Sequence, residues 1–258
     1  MSDAPDLGRY DDAIAWLRGF AETDHDVRAV WIGGSAATGG YDEWSDLDID
    51  MLCTPGTSPR VHEDLLAGLP LPAASVWRLP DGTWPDGRQS FVTLDPDPGS
   101  LAAPTRILDL HVHDDTPAAR AVDDRRHGRV IAVHDPDGLI EQRHDDEAEL
   151  TDRRLAEIDQ IRQRRDVARW LVHRAIARQQ PAEATALYLR LGLGALVTLL
   201  RSQACPWRFD YGLRYLREDL PADQVDRVEA LLPGTSALEE LATRCFAWMD
   251  ELLAEPPR

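Results

Sequence analysis

Residues 33–50 read Gly-Gly-Ser-Ala-Ala-Thr-Gly-Gly-Tyr-Asp-Glu-Trp-Ser-Asp-Leu-Asp-Ile-Asp. The apolar run Val30, Trp31 and Ile32 leads into the glycine-serine turn. Ten residues separate Ser35 from an alternating row of carboxylates, Asp46, Asp48 and Asp50, spaced by Leu47 and Ile49. Side chains two apart on a strand point to the same face. Two or three carboxylates would therefore crowd one face while the hydrophobic residues turn into a core. Like charges that close repel strongly in a low dielectric, so such a row calls for a cation between its members. Carboxylate clusters of this kind hold Mg²⁺, which in turn binds substrate phosphates. The alternative, an Asp-rich turn leading into a solvated edge strand, leaves the Gly-Gly-Ser at that distance unexplained.

This spacing resembles the signature of the polymerase-beta-type nucleotidyltransferase superfamily: a strand, Gly-Ser, a gap of about a dozen residues, then Asp-hydrophobic-Asp. Ser45-Asp46-Leu47-Asp48 fits the family's usual Ser-Asp-Ile-Asp. The resemblance makes Asp46 and Asp48 the metal carboxylates and Asp50 an additional acid. It also implies that Gly34 and Ser35 approach the β and γ phosphates, which favours a residue without Cβ at position 34. The superfamily carries a third carboxylate between hydrophobic residues on a later strand. Asp109, between Leu108 and Leu110, fits as a ligand of the catalytic metal; the resemblance gives the base role to a carboxylate near this strand, Asp109 included, or to one on the helical domain. His111 and His113 share its face by the period-two rule, as structural residues or as contacts to substrate or metal. Residues 129–140 close in Asp135-Pro136-Asp137-Gly138, a tight turn. This block and the Asp109 strand are similar to the streptomycin-type aminoglycoside adenylyltransferases.

The 258 residues suffice for two domains, and a hydrophobic content of 43% is ordinary for a globular protein. Residues 1–150 hold 30 acidic residues against 12 arginines, a balance of -18. Residues 151–258 hold 16 of each, so the excess negative charge lies entirely in the half with the carboxylate motif. Such a surface repels nucleic acid and attracts a small cationic molecule; it also serves solubility. All 28 basic residues are arginine, so phosphate contacts fall to guanidinium groups. Cys53, Cys205 and Cys245 form no metal or redox pattern, and Cys53 reads as a small buried hydrophobe. The longest apolar stretch, Leu191 to Leu200, is too short to span a bilayer. The N-terminus lacks a signal-peptide pattern, and a cytoplasmic location is expected.

Periodicity predicts a helix over 9–22, strands at 27–32 and 46–52, and short helices at 35–40 and 61–69. Further strands are expected at 74–79, 89–94, 106–112 and from 129. From about residue 147 the pattern becomes helical. Ile158, Ile161, Ala168, Leu171, Val172, Ala175 and Ile176 form one stripe of a long helix, and arginines fill the other face. Arg165 and Arg169 are candidate phosphate partners from that face, which otherwise reads as solvated. Pro181 starts a helix whose residues 184–200 read as the buried centre of a bundle. Shorter helices follow at 209–217 and 222–232, and a Ser236–Glu239 capping box opens a last one running to about Leu253.

The expected fold is α+β: a nucleotidyltransferase domain with a mixed sheet over residues 1–145, then an all-helical substrate-binding domain over 146–258. The expected activity is Mg²⁺-dependent transfer of a nucleoside monophosphate, with ATP the favoured donor, to a hydroxyl of a small molecule, cationic ones such as aminoglycosides included. Trp44, Trp77, Trp84 and Trp207 are candidate walls for its pocket, or core and loop packing. Monomer and homodimer both remain open. Two rivals stand beside this reading: a transferase that modifies a partner protein, and a non-catalytic nucleotide-binding protein on the same fold.

Overall fold

The computed structural model describes residues 6–69, 75–94 and 104–234. The chain divides into two compact units, Met1–Glu147 and Ala148–Arg258; the sequence reading sets the boundary at residue 145.

The first unit is α+β. In chain order its elements are α1 (Asp11–Thr23), β1 (Val27–Ile32), α2 (Gly34–Thr38), β2 (Leu47–Cys53), α3 (Ser58–Ala67), β3 (Ser75–Arg78), β4 (Gly87–Thr93) and β5 (Ile107–Asp114). They continue with α4 (Pro117–Arg120), β6 (Ala121–Val122), α5 (Asp124–His127), β7 (Ile131–His134) and β8 (Glu141–Gln142). Six strands form one mixed sheet in the order β3-β4-β5-β2-β1-β7, and β6 pairs with β8. The central pair β2–β5 is parallel, whereas the other neighbours in the large sheet are antiparallel.

Alternation along the central strands separates the two faces. Leu47, Ile49 and Met51 of β2 and Leu108, Leu110 and Val112 of β5 are fully or almost fully buried. They meet Ala13, Leu17 and Ala21 of α1 and Val61 and Leu65 of α3 in the main core. Removing that much apolar surface from water is the main stabilisation of the unit, at roughly 1.5–3 kcal/mol per large side chain. The opposite face carries Asp48 and Asp50 on β2 and Asp109 and His111 on β5. At its far end Ala29, Trp31, Leu52 and Val122 form a smaller apolar cluster. Pro117 at the start of α4, Asp123 capping α5, and the two-residue β6 and β8 give no periodic signal, and the sequence reading does not foresee these elements.

In the second unit every described regular element is helical: α6 (Glu147–Ala177), α7 (Pro181–Leu187), a π-helical stretch (Tyr188–Leu193), α8 (Gly194–Ala204), α9 (Leu216–Asp219) and α10 (Ala222–Glu229). On α6 the buried residues Ile161, Ala168 and Ala175 recur every seven positions. That line is narrower than the expected stripe, and Ile176 beside it is 58% exposed. Residues 184–200 also differ from the expected fully buried helix. The π-helical stretch rotates side chains off the 3.6-residue period, so Leu193 and Val197 are buried while Leu189 and Leu196 reach solvent. The run Pro181–Ala204 is, by length and composition, apolar enough to cross a membrane, with 22% of its most apolar window buried. Arg201 is fully buried, and its charge is met by Asp219 and by the Gly212 and Arg214 carbonyls. In place of the helix expected over 209–217, only Leu216–Asp219 is α-helical. The expected Ser236–Glu239 cap and its helix lie outside the described residues.

Candidate active site

Parallel pairing of β2 with β5 sets Asp48 directly opposite Asp109, and Asp50 opposite His111. Paired residues on adjacent strands share a face, about 5 Å apart. Asp46 sits just ahead of β2 at the same end of the pair. A turn delivers it: Asp42 Oδ1 accepts from Trp44 N at 2.9 Å and from Ser45 Oγ at 3.0 Å. Ser45 in the Ser-Asp-Leu-Asp motif is thus a turn residue, the ordinary use of a short hydroxyl beside an Asx turn.

Tyr10, which the sequence reading left among ordinary helix residues, fixes this end of the strands. Its ring is fully buried. Its hydroxyl donates toward the Ser45 and Ile107 carbonyls, at 3.1 and 3.2 Å, and accepts from Ile107 N at 3.0 Å. The residue before Asp46 and the first residue of β5 are thereby tied to one atom.

Gly34 packs against Asp48. Its φ is +55°, and a Cβ built on it would fall 1.6 Å from Asp48 Oδ2. No other residue type fits there without moving the carboxylate. Gly33 N donates to the Asp48 carbonyl at 2.9 Å, locking the turn to the strand. The hydroxyl of Ser35 is buried and has no hydrogen-bond partner. A buried polar atom left unpaired costs about 1–3 kcal/mol, which a phosphate oxygen or a hydrated ion would offset.

Burial pushes the Asp109 carboxyl above the ordinary carboxylate range; Gln89 opposes that shift, and the charges of Asp46 and Asp50 reinforce it. Gln89 Nε2 donates to Asp109 Oδ1 at 2.7 Å, and Trp84 Nε1 donates to Gln89 Oε1 at 2.8 Å. This relay orients Asp109 and engages one of its oxygens. Burial also acts on Asp50, but the facing imidazoles of His111 and His113 prevail and hold its carboxyl at about 2.

Asp46, Asp48 and Asp109 therefore lie at one end of one sheet face, near Gly34 and Ser35. Among the described residues their carboxylate oxygens are not drawn within 4.8 Å of one another, as the donor atoms of Asp50, His111 and His113 are. Arg165 and Arg169 belong to the helical unit. With Arg162 and Arg164 they line a cavity of about 570 Å³ whose other walls include Ile158, Ile161 and Tyr188. Arg165 is exposed and pairs with Asp166 at 3.0 Å. Of the four tryptophans, Trp84 joins the Asp109 relay. Trp77 stacks on Phe91, the β4 residue opposite Asp109, at 5.2 Å. Trp44 is exposed, and Trp207 is half-buried in the helical unit. Cys53 is buried, its thiol pushed up to about 12 by burial, as a packing residue would be.

Sequence reasoning missed Tyr10, Gln89 and Phe91. The last two alternate along a strand it did foresee, and that strand's neighbour carries Asp109. A strand order, not a motif, would have found them. The chain matches no protein-family model, and no curated protein is significantly similar to it.

Proposed function

We propose that this protein is a Mg²⁺-dependent nucleotidyltransferase that moves a nucleoside monophosphate from a triphosphate, ATP in the first instance, to a hydroxyl of a small molecule. The observation that carries this reading is the in-register pair Asp48–Asp109 with the Gly34 α-carbon seated on the Asp48 carboxylate. The space beside Gly34 is taken by the Asp48 carboxylate and admits no side chain. Asp46, Asp48 and Asp109 would hold the metal, which neutralises phosphate charge when bound. The acceptor oxygen forms a bond to the α-phosphorus as the bond to pyrophosphate breaks.

The acceptor's proton goes to Asp109. Gln89 engages one Asp109 oxygen and leaves the second available for it. The Ser35 hydroxyl donates to a phosphate oxygen. Trp84 and the Trp77–Phe91 stack flank the carboxylates and form an apolar wall for the acceptor. The excess negative charge of residues 1–150 favours a cationic acceptor of the aminoglycoside kind. The helical unit carries a cavity of its own, where Arg165 and Arg169 suit an anionic group.

The test is pyrophosphate release from each of the four ribonucleoside triphosphates with Mg²⁺, against a panel of hydroxylated amines including aminoglycosides. Release that requires an acceptor and falls on the order of a thousandfold in Asp48→Asn, about 4 kcal/mol of transition-state stabilisation, is expected. Tight Mg²⁺-dependent nucleotide binding without release would move the assignment to a protein acceptor or a non-catalytic binding role. Neither binding nor release would end it.

A further inference from the structure

One pleat beyond the Asp48–Asp109 pair, the same face changes chemistry. Asp50 Oδ1 lies 3.3 Å from His111 Nδ1 and 3.5 Å from His113 Nε2. One donor atom from each residue can be chosen so that all three lie within 4.8 Å of one another. We infer that Asp50, His111 and His113 form a site for a divalent transition-metal ion, best matched by Zn²⁺, distinct from the oxygen-only carboxylates.

Three observations carry this. The first is spacing. Adjacent ligands around a tetrahedral ion with bonds of 2.0–2.1 Å stand about 3.3–3.4 Å apart, close to the two separations found here. The second is the buried polar atom. His113 Nε2 is buried, and the group it faces is the Asp50 carboxylate. Its 3.5 Å approach to Asp50 is too long for a good hydrogen bond yet suits two ligands of one ion.

The third is the confinement of the rings. The two imidazoles stack at 4.6 Å with 16° between their planes; a ring nitrogen binds a metal in its own plane, so one ring turns about its side-chain torsion to join the same ion. Trp84 packs against His111 at 5.1 Å, and Trp31 meets His113 edge-on at 5.8 Å. A Cβ on Gly87 would come within 3.0 Å of His113 Cβ and 3.2 Å of His111 Nε2, so the glycine of β4 makes room for the stacked rings. Side-chain exposures of 31%, 25% and 12% for Asp50, His111 and His113 leave the cluster partly open. Two imidazoles and one carboxylate favour ions of the zinc class over Mg²⁺, and three protein ligands leave a fourth position for water or a ligand atom.

The other His-carboxylate cluster, Asp123, Asp124 and His144, is different. The Asp123 carboxylate already accepts from the backbone N–H groups of Arg125 at 2.8 Å, Arg126 at 3.3 Å and Asp145 at 2.6 Å. It is a cap and a joint.

The site does not depend on the nucleotidyltransferase reading, and its test separates the two. Metal-stripped full-length protein would be titrated with Zn²⁺ against a chromogenic chelator. One tight equivalent is expected for the wild type and for Asp48→Asn, with binding at least tenfold weaker in His111→Gln and His113→Gln. Zn²⁺ should also shift the ring resonances of two imidazoles in the wild-type protein, which needs no variant to fold. A wild-type chain that takes up no Zn²⁺, histidine variants that bind it as tightly, or imidazole resonances that do not respond would each overturn the assignment.

Discussion

The two faces of the same sheet are built from alternate residues of the same strands, and they follow opposite rules. Leu47, Ile49 and Met51 of β2 are buried against helices, and Leu108, Leu110 and Val112 of β5 join them. Between them Asp48, Asp50, Asp109 and His111 face the other way, paired acid to acid and acid to imidazole. One face lowers its free energy by packing. The other sets Asp48 opposite Asp109, where burial and the charges of Asp46 and Asp50 raise the Asp109 pKa.

That contrast can be broken by substitution, since each face predicts its own sign. Leu110→Ala removes a fully buried side chain from the core and should destabilise by about 3 kcal/mol. Denaturant unfolding would show it, with nucleotide binding unchanged in the fraction that stays folded. Gly34→Ala should cost roughly 1–2 kcal/mol for the left-handed conformation alone. Its Cβ would also displace the Asp48 carboxylate. The expected result is a modest fall in Tm with loss of metal-dependent nucleotide binding.

Asp109→Asn should act in the opposite direction on stability. A carboxyl with a raised folded pKa supports the fold fully only below its ordinary value of 3.8, and that support is lost as pH rises through the folded value. At pH 7 the ionised side chain therefore opposes folding. Replacing it should raise the Tm of the metal-free protein while removing activity. A fall in Tm for this variant would mean that the acidic face is a structural network.

Much of this contrast is legible in the sequence because strand alternation writes it directly. Leu47-Asp48-Ile49-Asp50 and Leu108-Asp109-Leu110-His111 each announce one apolar face and one polar face. The Gly-Gly-Ser before β2 marks a close backbone approach. What cannot be read is which strands become neighbours. Only the β2–β5 pairing sets Asp48 against Asp109 and gathers Asp50 with two histidines, and only β4 beside β5 brings Gln89 to Asp109. Tyr10 is hidden for the same reason, since its partners Ser45 and Ile107 lie 35 and 97 residues away. In the helical half, apolar periodicity overstates burial, because a π-helical stretch changes the period within a single run of sequence.

The central claim is that the acidic face exists to hold a metal ion and a nucleoside triphosphate together. Its most direct test is calorimetric titration with a triphosphate whose α,β bridge resists cleavage, with and without Mg²⁺, on the wild type and Asp48→Asn. The account predicts binding that needs Mg²⁺ and weakens at least tenfold in the variant. Binding indifferent to both the metal and Asp48, or no binding of any of the four nucleotides, would contradict it.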